Sequence, residues 1–361
     1  MLNKKFSPER QTAFDARYEA QKIVFGPAVF QCVRYAWKRG MLKTLSQAGN
    51  NGLTVDELAS MGKWTKYALK VVLETCLSAG VVYLKEGKYL LDRAGYCVLN
   101  DRITQINLDF IHEVCYQGLF ELDSSLDEEK PLGLKHFGDW PSLYEGLQDF
   151  PDSARESWLE FDQFYSDISF PDIMPDVFAT NPKKIMDIGA NTGKFSQQAL
   201  AYNDTVEIIL LDLPQQLAVA QSNLDEQSFH DRVHLFPIDL LNTDAAFPSG
   251  VDIVWMSQLL SCFSEEMISS IMARAANALT PGGHILIMDT LWDRQRYDIA
   301  SYCLINTSPY FTAIASGNSK IYESGDYIRL CEATGLKLLT IRDNIGFCHS
   351  LLRFTREENL S

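Results

Sequence analysis

From residue 183 onward the chain alternates short apolar runs with helical periods, and this alternation leaves it few folds to choose from. KKIMDIG reads as a buried strand and KFSQQALAY as the helix after it; VEIILLDL and PQQLAVAQSNL repeat the unit. RVHLFPIDL, VDIVWMSQ and HILIMDT are further strands, the last two separated by the helix EEMISSIMARAANAL and the turn Thr280-Pro281-Gly282-Gly283. Consecutive strand–helix units pack helices on both faces of a parallel sheet, so the pattern predicts a doubly wound α/β fold. Near the end, GLKLLTIRD and GFCHSLLRFTR form a hairpin that puts one antiparallel strand into the mostly parallel sheet.

The first hundred residues differ. Residues 27–46 carry apolar positions at helical spacing, and Thr54-Val55-Asp56-Glu57 is a capping box opening a short helix. Thr65 caps a longer helix, TKYALKVVLETCLSA, which Gly80 ends; VVYL and KYLL then flank a turn. Helix, helix and hairpin in that order make a winged-helix pattern. Residues 101–180 are helical and aromatic-rich, interrupted by Pro131, Pro141, Pro151 and Pro171. The expected organisation is a mainly α winged-helix-like domain over 1–105, a helical connector over 106–180 that borders a substrate pocket, and the α/β domain over 181–361.

Asp187-Ile188-Gly189-Ala190-Asn191-Thr192-Gly193 lies where the first strand of the α/β domain turns into its helix. Glycine in such a turn lets backbone approach a ligand closely. Asp212 ends the second strand, where a carboxylate can accept both hydroxyls of a ribose, and Asp239 ends the third, where it suits the exocyclic amine of adenine. The spacing is G-x-N-x-G, without the middle glycine that admits a pyrophosphate, so a dinucleotide fits poorly. Asp187 would repel phosphates and favours a cationic sulfonium or its ammonium. S-adenosyl-L-methionine satisfies both conditions.

TVDELA with the hairpin after it, DIGANTG, LLDLP, PIDLL, ALTPGGHILIMD and GNSKIYESGDYIRLCEATGL follow one another as in a known family. The chain resembles the bacterial relatives of plant caffeate and isoflavone O-methyltransferases, which join a winged-helix dimerisation domain to a Rossmann-like methyltransferase domain. The resemblance implies a homodimer whose N-terminal helices interlock. It also assigns Gly189, Asn191 and Gly193 to the methionine end of the cofactor, Asp212 to the ribose and Asp239 to the adenine. Leu213, Leu240, Ser257 and Gln258 match positions lining the same cofactor.

The catalytic pattern of that family is incomplete here. Ser261 stands where the plant enzymes place the histidine that deprotonates the acceptor; of the two flanking carboxylates one is kept as Asp289, and Ile321 replaces the other. Of the six histidines, only His112, in the expected connector, lies where a substitute base could stand. Asp289 is therefore expected to replace the base or to orient the acceptor. Phe161, Tyr165, Cys262, Trp292 and Phe311, with Tyr302 and Tyr310, lie in segments expected to border an aromatic pocket, which favours a flat apolar acceptor.

Composition excludes other classes. No apolar run reaches the roughly 20 residues that span a bilayer, and an N-terminus reading MLNKKFSPERQTAF suggests a cytoplasmic protein. The eight cysteines stand singly, which argues against a zinc site or a disulfide framework. The net charge is −15, yet residues 1–100 hold 15 Lys and Arg against 8 Asp and Glu. That basic excess is the one feature favouring a DNA-binding regulator. Against it, the groove-facing helix would offer Lys66 and Lys70 but no Arg, Asn or Gln to read bases. The leading expectation is methyl transfer to oxygen of a small aromatic or polyketide-like metabolite. The alternatives are cofactor-assisted decarboxylation or hydroxylation, and a winged-helix regulator that senses a metabolite.

Overall fold

The computed structural model describes residues 12–166, 169–225 and 229–360. Its N-terminal unit, which ends at Glu113, opens with α1 (Ala13–Lys38), whose first turn is closed by the Asp15 amide donating to Thr12 Oγ1 at 3.1 Å. The helical period over 27–46 does not form one helix. Gly40, at φ 78°, ends α1 and starts α2 (Met41–Ala48). The capping box is complete: the Glu57 amide donates to Thr54 Oγ1 at 3.1 Å and the Thr54 amide to Glu57 Oε2 at 2.7 Å, opening α3 (Val55–Ser60). Thr65 caps α4 (Lys66–Ser78), and Gly80 at φ 68° turns the chain into the hairpin β1 (Val82–Lys85) and β2 (Lys88–Leu91). Two helices, α5 (Arg93–Asn100) and α6 (Arg102–Phe110), complete the unit.

Ala36, Met41, Leu42, Leu45, Leu58, Leu69 and Leu73 are fully buried and form its core. Each such leucine or methionine contributes about 1.5–3 kcal/mol. Lys66 of α4 is paired with Asp56 of α3 at 2.5 Å. On α1, by contrast, Phe14, Tyr18, Ile23, Val24 and Phe25 all remain exposed.

The second unit begins at Val114, so the expected connector divides: residues 114–180 belong with the sheet. They form α7 (Leu122–Glu128), α8 (Leu143–Gly146), α9 (Asp152–Ser166) and α10 (Phe170–Val177). Then come β3 (Lys184–Ile188), α11 (Lys194–Tyr202), β4 (Glu207–Asp212), α12 (Pro214–Asp225) and β5 (Val233–Pro237). After these lie β6 (Val251–Ser257), α13 (Glu265–Ala278) and β7 (Leu279–Asp289). The segment between β7 and the final hairpin has no clear period but is helical, as α14 (Asp298–Tyr310) and α15 (Ser324–Glu332). Pro309 lies inside α14, and a π-turn over Phe311–Ala315 follows it. The chain ends with β8 (Leu336–Ile345) and β9 (His349–Arg356).

The seven strands run in the order β5-β4-β3-β6-β7-β9-β8, and β9 alone runs opposite to the rest. Side chains alternate between faces, as the strand period of two requires. Met186, Ile188, Ile209, Leu211, Val254 and Met256 pack with α13 and α15. Ile185, Ile208, Leu210, Ile253 and Trp255 face the other way, onto α10, α11 and α12. No helix among the described residues is long and apolar enough to cross a membrane, and no cluster of three or more His, Cys, Asp or Glu among them is placed to hold a metal ion.

Candidate cofactor and acceptor site

The strand order reverses between β3 and β6, and open α/β sheets bind ligands in the crevice at such a switch point. The turn leaving β3 is shaped for it. Gly189 has φ 74°, and a Cβ there would lie 2.6 Å from Leu259 Cδ1, so no other residue fits without displacement. Asn191 also has positive φ, at 49°, which aims its amide at Asp212 Oδ2, 2.8 Å away. Gly193 at φ 76° starts α11. The Leu213 amide donates to the other oxygen, Oδ1, at 2.7 Å. Burial raises the Asp212 carboxyl above its usual range, and these two amides work against that rise.

Asp187 lies deeper, 2% exposed, with Ser196 Oγ donating to its Oδ2 at 2.7 Å. Burial pushes its pKa up to about 7; the nearby Asp212 charge adds to this and the Ser196 hydroxyl opposes it. A cation placed beside it would relieve that cost. Asp239, past the end of β5, is exposed and accepts the Leu241 amide at 2.9 Å. Leu240 points into the core, and its carbonyl accepts from Arg274 Nη2 at 2.8 Å, which pins this loop to α13. At the end of β6, Ser257 Oγ is buried without a hydrogen-bond partner among the described residues. Gln258 follows at φ 48°, its amide donating to the Met288 carbonyl at 2.9 Å. An orphan hydroxyl and a buried carboxylate beside a glycine turn match the donor and acceptor needs of an amino acid with a cationic centre, so these residues fit S-adenosyl-L-methionine.

The acceptor side begins at the 3₁₀ turn Leu260–Cys262. Ser261 is buried, and its amide donates to Asp289. Asp289 is 1% exposed; Tyr327 Oη donates to its Oδ2 and the Thr290 amide to its Oδ1, each at 2.8 Å. Burial raises it to about 6 against these three donors. The Ser261 amide is among its donors, so Asp289 also ties down the turn that carries Ser261. Cys262 accepts a hydrogen bond from Tyr144 Oη at 2.9 Å, and burial pushes its thiol up to about 12, so it is not a nucleophile.

Phe161 is half-buried on α9, Trp292 half-buried after β7, and Phe311 buried against Tyr310 with ring centroids 5.1 Å apart. Tyr302 is largely exposed, and the Tyr165 side chain lies outside the described residues. His112 folds with the N-terminal unit, its Nδ1 3.2 Å from Gln31 Nε2, and burial lowers its pKa. His349 is fully buried beside Ser169, pushed down to about 4 by desolvation. Sequence reasoning missed Tyr144, Ser196, Tyr327 and Trp158, whose Nε1 donates to Tyr310 Oη at 2.7 Å. For Trp158 a signal existed, since it shares a helical face with Phe161.

Comparison with known proteins agrees with this domain order and fold. Residues 17–89 match the Dimerisation2-like domain family and residues 186–285 the methyltransferase domain family. The chain is 23% identical to the L-tyrosine C(3)-methyltransferase of Streptomyces lavendulae over 309 residues, 84% of this chain and 82% of that one. It is 20% identical to the bacteriochlorophyllide d C-20 methyltransferase of Chlorobaculum tepidum over 331 residues, 90% and 93% of the two chains. The crystal structure of the S-adenosylmethionine-dependent methyltransferase SibL superposes with a TM-score of 0.68 at 21% identity, covering 93% of this chain and 98% of that one; it establishes the fold. With both domains matched in order and the crevice built as described, the chain belongs to the S-adenosylmethionine-dependent methyltransferases that carry a dimerisation domain ahead of the catalytic one.

Proposed function

We propose that this enzyme methylates an oxygen of a small aromatic or polyketide-like acceptor by in-line displacement, with no histidine base. The observation that carries the reading is the pair of carboxylates at the switch point, Asp187 buried and Asp212 held by two amides of the glycine turn and the strand end. S-adenosyl-L-methionine supplies an electrophilic methyl group on a sulfonium when bound there. Asp187 and Ser257 take its amino-acid end, Gly189, Asn191 and Gly193 give it room, and Asp212 accepts the ribose hydroxyls. Leu213 and Gln258 border it, and Asp239 with Leu240 frames the adenine.

On the acceptor side Ser261 occupies the position of the base, and a neutral hydroxyl cannot take a proton unaided. A general base contributes about 10²–10⁴-fold. In-line positioning contributes about 7–11 kcal/mol, the larger share, and it survives the loss. The enzyme therefore suits an acceptor that is acidic or intrinsically nucleophilic. Phe161, Trp292 and Phe311 offer it apolar faces, and the chain works as a homodimer through α1. A second reading, transfer to a ring carbon, is favoured by the names of the tyrosine and bacteriochlorophyllide relatives.

Isothermal titration with S-adenosylmethionine, S-adenosylhomocysteine and NAD, beside Asp212→Ala, tests the cofactor assignment. Binding of the two adenosyl ligands alone, lost in the variant, is the expected result. No binding of either would sink the proposal. NMR of methylated products from a panel of phenols then separates oxygen from carbon transfer.

A further inference from the structure

The second half of α1 shares with α4 a cleft of about 420 Å³. Arg34 and Lys38 stand one turn apart on α1, as do Tyr35 and Arg39, so both pairs line it. Cys32, Tyr35 and Val72 of α4 give the cleft apolar walls, and its charged residues are the cations Arg34, Lys38 and Arg39. Their partners do not balance them. Arg34 Nη2 lies 2.5 Å from Glu113 Oε1 and 3.7 Å from Asp109 Oδ1, and Lys38 Nζ lies 2.7 Å from Asp109 Oδ2. Two carboxylates therefore serve three cations, and one positive charge is left over. It falls on Arg39, which is exposed and has no carboxylate partner among the described residues. Its guanidinium lies over the Tyr35 ring, 5.7 Å from the centroid. Arg34 Nε is buried and also lacks a hydrogen-bond partner among the described residues, a donor whose lost hydration none of them offsets.

A guanidinium beside an aromatic ring and an apolar wall suits a carboxylate carried on a flat ring. The planar fork of arginine binds a carboxylate through two parallel charge-assisted bonds, and an exposed tyrosine offers its face to a second ring. One surplus positive charge matches a monocarboxylate better than a phosphate group, which carries about 1.5–2 negative charges at pH 7. We propose that this cleft of the N-terminal unit binds an aromatic monocarboxylate. Arg39 pairs with the carboxylate, while Tyr35, Cys32 and Val72 face the ring. None of these residues belongs to the methyl-transfer site described above, and the inference does not rest on that reading.

The test titrates the full-length protein with 2-naphthoate and with 2-naphthamide, the same ring without the charge. Naphthoate should bind about 10–100-fold more tightly, as a charge-assisted hydrogen bond provides. Arg39→Gln should bring the two ligands to near parity, and Arg39→Lys should keep a preference for naphthoate. Both variants should melt at the parent's temperature, because Arg39 is exposed. Equal affinity of the parent for the two ligands, or no naphthoate binding at millimolar concentration, would overturn the assignment. So would a preference that survives undiminished in Arg39→Gln, since the carboxylate would then be held elsewhere on the chain.

Discussion

Replacing Asp187 by Asn should make the protein more stable at pH 8 and leave it little changed at pH 4. In the folded state Asp187 keeps its proton up to about pH 7, because burial raises the carboxyl from 3.8. Between those two values the folded chain holds more protons than the unfolded one, so wild-type stability falls as pH rises. The shift corresponds to about 4 kcal/mol, fully present above pH 7 and absent below about pH 4. Asparagine cannot ionise, yet its oxygen can still accept from Ser196 Oγ. The stability difference between variant and parent should therefore grow by up to about 4 kcal/mol across that window. Asp289, raised to about 6 in the same direction, is present in both proteins and cancels in the comparison. Urea denaturation followed by tryptophan fluorescence at pH 4.5, 6 and 8 measures it. The same substitution should weaken S-adenosylmethionine binding, because the cost of the buried charge is what a bound cation relieves. A stability difference that stays flat with pH would refute the argument.

Two further outcomes follow from the geometry. Tyr327→Phe removes a donor from buried Asp289, which should cost about 1–3 kcal/mol of stability. It should leave S-adenosylhomocysteine affinity intact, lower turnover, and move the acidic limb of the pH–rate profile upward, because Asp289 loses a bond that favours its charged form. In the N-terminal unit, Ile23→Glu places a charge among Phe14, Tyr18, Val24 and Phe25 on the exposed side of α1. Light scattering should then read one chain's mass in the variant and two in the parent; a variant that stays at two chains would exclude this face as the dimer contact.

How much of this was legible beforehand varied with the range of the interactions involved. Strands β3 to β7 and the terminal hairpin were readable because buried strands alternate with helices that must cover them, and that constraint is local. The capping box at Thr54, the cap at Thr65 and the stop at Gly80 were readable for the same reason, since each bond spans three or four residues. The break at Gly40 was not, because the apolar period runs through it and only the backbone conformation divides the helix.

At the site the division is similar. The sequence by itself determined the glycine turn and the acids at three strand ends, because a parallel sheet must deliver every strand's C-terminus to the same edge. Only the tertiary structure decided what those acids can do. Asp212 is tied to backbone amides, Asp187 is bonded by Ser196, and Asp289 accepts from a tyrosine 38 residues away. It also decided that Tyr144 meets Cys262 and that Trp158 meets Tyr310. Burial and partnership are set by contacts between residues distant in the chain, and a carboxylate's chemistry follows from its surroundings more than from its position in the sequence.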